Sequence, residues 1–291
     1  NLNPPTRNTK PRASFLAHEN LYAVQQYEDP RHARACVAED GSLRVGELWE
    51  PYPEDLVRRL LDDPSSTIQR PSRLLDGYGL GILESGPPEH RRALGLSYAC
   101  LRGHTQQDEL FLSFFARGID LLDDLGYPRT WDHRWQFDAN SLVHNTVTVD
   151  ETQSGNRKFG GMGRLFGAHQ GVHVVTASHQ PYHETPLPSG GTVDLYERTV
   201  ILVDIDDERF FAVDLFAVGG GEQHDQSWHA LTTRVEAPAL PWVAQETGTL
   251  AGPAVEQFGT WTDRWGRERG DAPAYLTGIR RASLDAPAAW T

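Results

Sequence analysis

An antiparallel β-sandwich preceded by a short helical stretch is the fold class this sequence predicts, and three observations predict it. After Pro71, short β-prone runs follow one another, each closed off by Gly, Pro or Asp. Before Pro71, apolar residues recur at helical spacing instead. The β-runs do not alternate with helices as a parallel sheet requires, and 38% hydrophobic residues in a 291-residue chain suffice for a core.

Residues 1–13 hold three prolines and no periodicity, and read as an extended leading segment. From Ser14 to about Glu39 the pattern is helical, with Leu16, Leu21, Ala23 and Val24 near 3.6 spacing. Asp29-Pro30 restarts a helix carrying Ala33, Ala35 and Val37, and Gly41 ends it. Pro53 opens another helix, Glu54 to Asp62, with Leu56, Val57, Leu60 and Leu61 on one face. These helices are too few for a core of their own. They pack on the sheet or belong to a helical domain lying mostly upstream, so the chain divides into 1–70 and 71–291.

In the second part the runs are GYGLGILES, RALGLSYACL, ELFLSFFARG, IDLLDD, HNTVTVD, GRLFGAHQ, GVHVVTASH, VDLYERTVILVD, RFFAVDLFAV and HALTTRV. Within HNTVTVD, His144, Thr146, Thr148 and Asp150 alternate with Asn145, Val147 and Val149. Two hairpins are expected. Leu112–Phe115 and Ile119–Leu122 flank Arg117-Gly118, and Ile201–Asp204 and Phe210–Asp214 flank an Asp206-Asp207 turn. The tail from residue 236 is rich in Pro, Ala and Gly, with Trp242, Trp261, Trp265 and Trp290.

Composition excludes several functions. No apolar run approaches the roughly 18 residues of a membrane span. A net charge of −13 argues against a nucleic-acid binder, which needs a basic face. The sole methionine is Met162 and the chain starts at Asn1, which reads as a processed terminus or a cut within a longer chain. Cys36 and Cys100 are no disulfide scaffold, so the redox compartment stays open.

Polar residues concentrate in three segments: Gly103-His104-Thr105-Gln106-Gln107-Asp108, Leu122-Asp123-Asp124-Leu125-Gly126-Tyr127-Pro128 and Val143-His144-Asn145-Thr146-Val147. Strand ends bearing imidazole and carboxylate suit a metal or catalytic site, and equally suit solvated turns. His173, His179 and His183 share no face and read as surface residues.

These segments, in this order, resemble the C-terminal part of the heparinase II/III-like polysaccharide lyases, a family that includes heparin, heparan and alginate lyases. Its members show Gly-His-x-His-x-Asp, then Asp-x-Gly, then a His-Asn-Thr strand. The later His224-Asp225-x-Ser227-x-His229 block also matches, and the likeness runs from about Leu74 beyond Ala230. The resemblance implies an α/α toroid followed by an antiparallel β-sandwich, with residues 1–70 the last helices of the toroid.

It also implies β-elimination at a uronate in an acidic polysaccharide, in a periplasmic or secreted enzyme. Loss of the weakly acidic C5 proton requires donors to neutralise the neighbouring carboxylate, a base for C5, and an acid for the leaving oxygen. In the family, the neutralising Asn/His and the acid Tyr come from the toroid. The sandwich contributes His104, the catalytic candidate on its side, which lines the cleft. Tyr127 and Trp131 are expected to stack on sugar rings or else pin their loop. Arg198 is expected to reach a substrate carboxylate or to pair with Glu197 or a facing strand, and His229 to border the cleft.

A family zinc site maps onto Gln106, Asp124 and His144. Gln106 replaces a histidine, and an amide oxygen is a weak zinc ligand. No cofactor is required, and the expectation is a decayed site in which Gln106 bonds to His144 while Asp124 orients the ring. The acidic balance favours mannuronate, guluronate or mixed uronate glycans over densely sulfated heparin. The runner-up is a non-catalytic carbohydrate-binding or structural module. Oligomeric state is left open.

Overall fold

The computed structural model describes residues 17–37, 42, 53–66, 70–99, 106–124, 126, 133–154, 160–182, 185–232 and 240–284. They fall into two units that divide between Arg70 and Pro71.

In the first unit, α1 (Ala17–Tyr27) and α2 (Pro30–Ala35) meet at a capped junction. The Asp29 carboxylate accepts the Arg31 backbone N–H at 2.9 Å, and Pro30 sits in the first turn, where its missing N–H costs nothing. Helix α3 (Glu54–Leu61) carries Glu54 and Asp55 in its first turn and Arg58 and Arg59 in its last, matching the helix dipole. Leu21, Val24, Ala33, Cys36 and Val57 form a small core. The Cys36 thiol donates to the His32 carbonyl at 3.4 Å, and burial pushes its pKa up to about 11.

The second unit is mainly β. The strands β1 (Arg73–Leu75), β2 (Leu80–Ser85), β3 (Arg92–Ser97), β4 (Leu112–Ala116) and β5 (Ile119–Leu122) form an antiparallel meander in sequence order. The expected β4–β5 hairpin is present. Arg117 and Gly118 have φ of 51° and 79°, the paired positive values of the two-residue turn that suits strand twist. After β6 (Val147–Val149) comes a second meander of β7 (Met162–His169), β8 (Val172–Ser178), β9 (Leu195–Asp204) and β10 (Phe210–Gly219). The second expected hairpin is the β9–β10 pair, closed at Asp204 and Phe210.

The two meanders share one core. Leu83, Leu94 and Leu96 of the first meet Val175, Ala177, Val200 and Leu202 of the second. The sheets approach closely at Gly81, where a Cβ would lie 2.6 Å from the Val175 methyl, so only glycine fits without displacement. Two buried arginines brace this core. Arg92 reaches from β3 to Asp204 at 2.7 Å and to the carbonyls of Asp206 and Asp207, holding the β9–β10 turn.

The strand β6 pairs with β11 (His224–Gln226). The alternation in HNTVTVD does not become an exposed and a buried face: His144 to Asp150 are all buried, because the segment is covered on both sides. Nor do residues 229–232 of HALTTRV form a strand. The tail contributes two short pairs, β12 (Val243–Ala244) with β15 (Arg280–Arg281), and β13 (Trp261–Thr262) with β14 (Glu268–Arg269).

Candidate functional site

The segment from Asn140 to Asp150 forms the floor of the candidate site. His144 is fully buried, and its Nδ1 lies 2.9 Å from Asp124 Oδ2. The Gly126 N–H donates to the other Asp124 oxygen, so the carboxylate is held from both sides. Burial opposes a charged imidazole, but the Asp124 hydrogen bond and the Asp108 and Asp124 charges outweigh it and raise the His144 pKa. Asp124 moves the opposite way: burial works against it, and the bond to His144 overcomes this and lowers its pKa. The far ring nitrogen, His144 Nε2, has no hydrogen-bond partner among the described residues. Phe111 meets the ring edge-on at 6.0 Å.

Gln106 belongs to the same cluster but does not bond to His144. Its Nε2 donates to the carbonyls of Gly126 at 3.1 Å and Asp138 at 3.0 Å. This corrects the expected Gln106–His144 bond. Two backbone carbonyls in turns need donors, and a primary amide supplies both hydrogens. Gln106, Asp124 and His144 are thus brought together, with Gly126 shared between the first two.

As arranged, these donors do not fit a zinc ion. Tetrahedral zinc needs lone pairs converging from at least three ligands, yet His144 Nδ1 is turned to Asp124 and the Gln106 amide to the backbone. No group of three His, Cys, Asp or Glu side chains able to hold a metal occurs among the described residues. What remains is an oriented imidazole sealed from solvent.

Asn145, inside the recognised His-Asn-Thr motif, has a structural part that its spacing alone did not reveal. Its Nδ2 donates to the Leu112 carbonyl at 3.0 Å and the Asp123 carbonyl at 3.3 Å, and its Oδ1 accepts the His229 N–H at 2.6 Å. Thr146 donates to the Glu109 carbonyl and pairs with the Tyr196 hydroxyl at 3.0 Å. Glu109 went unnoticed in the sequence: burial lifts its pKa to about 7, although Ser154 donates to its carboxylate.

Arg198 takes the second of its two expected parts, a pairing with the facing strand, and not the substrate contact. It is fully buried, forks Asp214 with two bonds of 2.8 Å, and donates to the carbonyls of Leu110 at 2.7 Å and Asn145 at 2.5 Å. Phe216 and Trp228 lie over its guanidinium. An arginine engaged this fully inside the protein braces the sandwich and has no face left for a substrate. His229 is part-buried and bonds through Nε2 to the Leu142 carbonyl at 2.9 Å, and burial lowers its pKa. His173 and His179 are not surface residues either. His173 contacts Ser72 at 2.7 Å, and His179 is only 5% exposed. His104, Tyr127, Trp131 and His183 lie outside the described residues.

The family sequence model described as "Heparinase II/III-like, C-terminal" matches residues 76–270. Among solved structures, a mutant of the heparan sulfate lyase HepC from Pedobacter heparinus is similar, with TM-score 0.52 and 14% identity over 88% of this chain and 38% of that one. A heparinase III gene product is similar at TM-score 0.49 and 15% identity, over 67% of this chain and 30% of that one. At such identities the likeness concerns the fold. The chain spans about a third of the length of these structures. No curated protein matches it in sequence. On the family match, which covers most of its length, the chain belongs to the heparinase II/III-like C-terminal family.

Proposed function

We propose that this chain is the β-sandwich side of a polysaccharide lyase that cleaves a uronate-containing glycan by β-elimination. The observation that carries this is the family match over residues 76–270. In the reaction, a base removes the C5 proton beside the carboxylate, the C4–O bond breaks, a C4=C5 double bond forms, and the leaving oxygen takes a proton from an acid. His104 lines the cleft from the sandwich side. Tyr127 and Trp131 offer aromatic faces to sugar rings, and His229 orders the neighbouring backbone. The carboxylate-neutralising groups and the acid come from a toroid of which residues 1–70 are the last helices.

The buried cluster positions rather than reacts. Gln106 stands two residues from His104 and ties that segment to the carbonyls of Gly126 and Asp138. Hydrogen bonds thereby do the holding that a metal would otherwise do, and no cofactor takes part. The enzyme is an exported one that meets its polymer outside the cytoplasm. Among the described residues no helix is long and apolar enough to cross a membrane.

A non-catalytic glycan-binding module is favoured by one observation: the His144 ring is sealed from solvent. Mass spectrometry of uronate polymers treated with residues 1–291 joined to the toroid separates the readings. Elimination leaves products lighter by one water than hydrolysis does; a module leaves the polymer intact. Hydrolytic products would overturn the lyase assignment.

A further inference from the structure

A cleft of about 310 Å³ opens between the β6–β11 pair and the tail, within the range of small-ligand sites. It is separate from the sealed His144 ring, although Leu142 lines it and lies two residues away. Its chemistry is sorted by position. Trp261, Arg264 and Arg281 come from the tail, whereas Glu151, Gln223 and Asp225 come from the turn after β6 and from around β11.

Two of the arginines are available. Arg264 is exposed, stacks on the Trp265 ring at 4.3 Å, and has no hydrogen bond or ion pair among the described residues. Among the described residues Arg281 bonds to neutral acceptors alone, Gln245 Oε1 at 3.3 Å and the Leu250 carbonyl at 3.2 Å. A third arginine, Arg269, is consumed by Asp271 at 2.6 Å and the Glu151 carbonyl at 2.6 Å. The acids divide likewise. Asp263 is buried and neutralised by Arg267 at 2.7 Å, while among the described residues Asp225 receives only the Gln223 amide at 2.8 Å.

The walls are preorganised. Asp263 accepts the N–H groups of Trp265 and Arg267, both at 2.9 Å, and so fixes the turn that presents Arg264. On the facing side, Asp150 and Glu151 both hold φ of 51°, a conformation that costs non-glycine residues energy. Arg267 to the Thr152 hydroxyl at 2.9 Å and Arg269 to the Glu151 carbonyl hold that turn in place.

We propose that this cleft binds one carboxylated sugar unit. The Arg264 fork takes the carboxylate, the Trp261 ring packs a pyranose face, and Asp225, Glu151 and Gln223 bond to hydroxyls. The same two acids repel a second anionic group, so the cleft selects a sparsely charged uronate over a sulfated sugar. The glycan assignment rests on the proposed function. The cleft then acts as an accessory subsite that holds the polymer.

The test is calorimetric titration of the chain with mannuronate, guluronate and glucuronate-containing tetrasaccharides, their carboxyl-reduced counterparts, and sodium sulfate. At least one uronate should bind. Arg264→Gln should weaken it at least tenfold, Arg264→Lys should fall between, and the exposed Glu268→Gln should match the parent. Carboxyl-reduced sugars should bind weakly and ignore Arg264→Gln, with unfolding temperature reporting that each variant folds. Three results would overturn the proposal: no uronate binding, binding indifferent to Arg264, or sulfate competing as well as uronate. Binding as expected, with no elimination product from residues 1–291 joined to the toroid, sinks the lyase reading alone; elimination by that joined protein with binding indifferent to Arg264 sinks the cleft alone.

Discussion

Replacing Arg198 with methionine tests whether this residue braces the sandwich. The guanidinium makes two bonds of 2.8 Å to Asp214 and two more to the carbonyls of Leu110 and Asn145. Asp214 is only 13% exposed, so its charge would be left largely desolvated and unpaired. Removing one partner of such a pair typically costs about 3–5 kcal/mol. For a unit of this size each kcal/mol lowers Tm by about 2–4 °C, so Arg198→Met should melt roughly 6–20 °C below the parent. Adding Asp214→Leu removes the stranded charge and should recover most of the loss. Urea unfolding and scanning calorimetry of the four members of this cycle give the coupling directly. A loss below about 1 kcal/mol in the single variant, or no recovery in the double, would refute the reasoning.

Three further predictions concern pH and metal. Burial holds His179 at about 4, below its ordinary 6.5, so the fold favours the neutral ring. That contribution is complete above pH 6.5 and is lost as pH falls towards 4, by up to roughly 3 kcal/mol; His179→Gln should flatten the acid side of a Tm-against-pH curve. Glu109 runs the other way. Its folded pKa of about 7 lies above the ordinary 4.5, so its contribution is complete below 4.5 and is lost as pH rises through 7. Glu109→Gln should therefore raise Tm at pH 8 relative to the parent far more than at pH 4.5, and equal shifts at both would contradict the assignment. Elemental analysis should find no stoichiometric zinc, with chelator leaving Tm unchanged; one zinc per chain would mean that Asp124 and His144 rearrange into a ligand set.

Features written into neighbouring residues were legible in the sequence. Asp29-Pro30 states a helix start by itself, and Arg117-Gly118 between two β-runs states a hairpin. Features that depend on distant partners were not. Arg92 and Arg198 look like surface arginines until Asp204 and Asp214 are brought against them across the sandwich. The β6 segment has an alternating pattern, but layers on both sides bury all of it. Resemblance to the family motifs drew attention to Gln106, Asp124 and His144, whereas spacing alone left turns and sites indistinguishable. Even then the partners of Gln106 depend on where the carbonyls of Gly126 and Asp138 come to rest, which no local pattern encodes. His179 was misplaced for the same reason: a histidine after a strand is polar by type, and its burial follows from the packing around it.

The most direct test of the central claim is ultraviolet absorbance of the unsaturated uronate product, recorded on a panel of uronate polymers. The protein should be residues 1–291 joined to the toroid, with His104→Ala and residues 1–291 alone alongside. The account predicts rising absorbance on at least one polymer, a marked loss in His104→Ala, and little or no turnover by residues 1–291 alone. No absorbance on any uronate polymer from the joined protein would contradict the lyase assignment. Full turnover by residues 1–291 alone would contradict the toroid's share in the site.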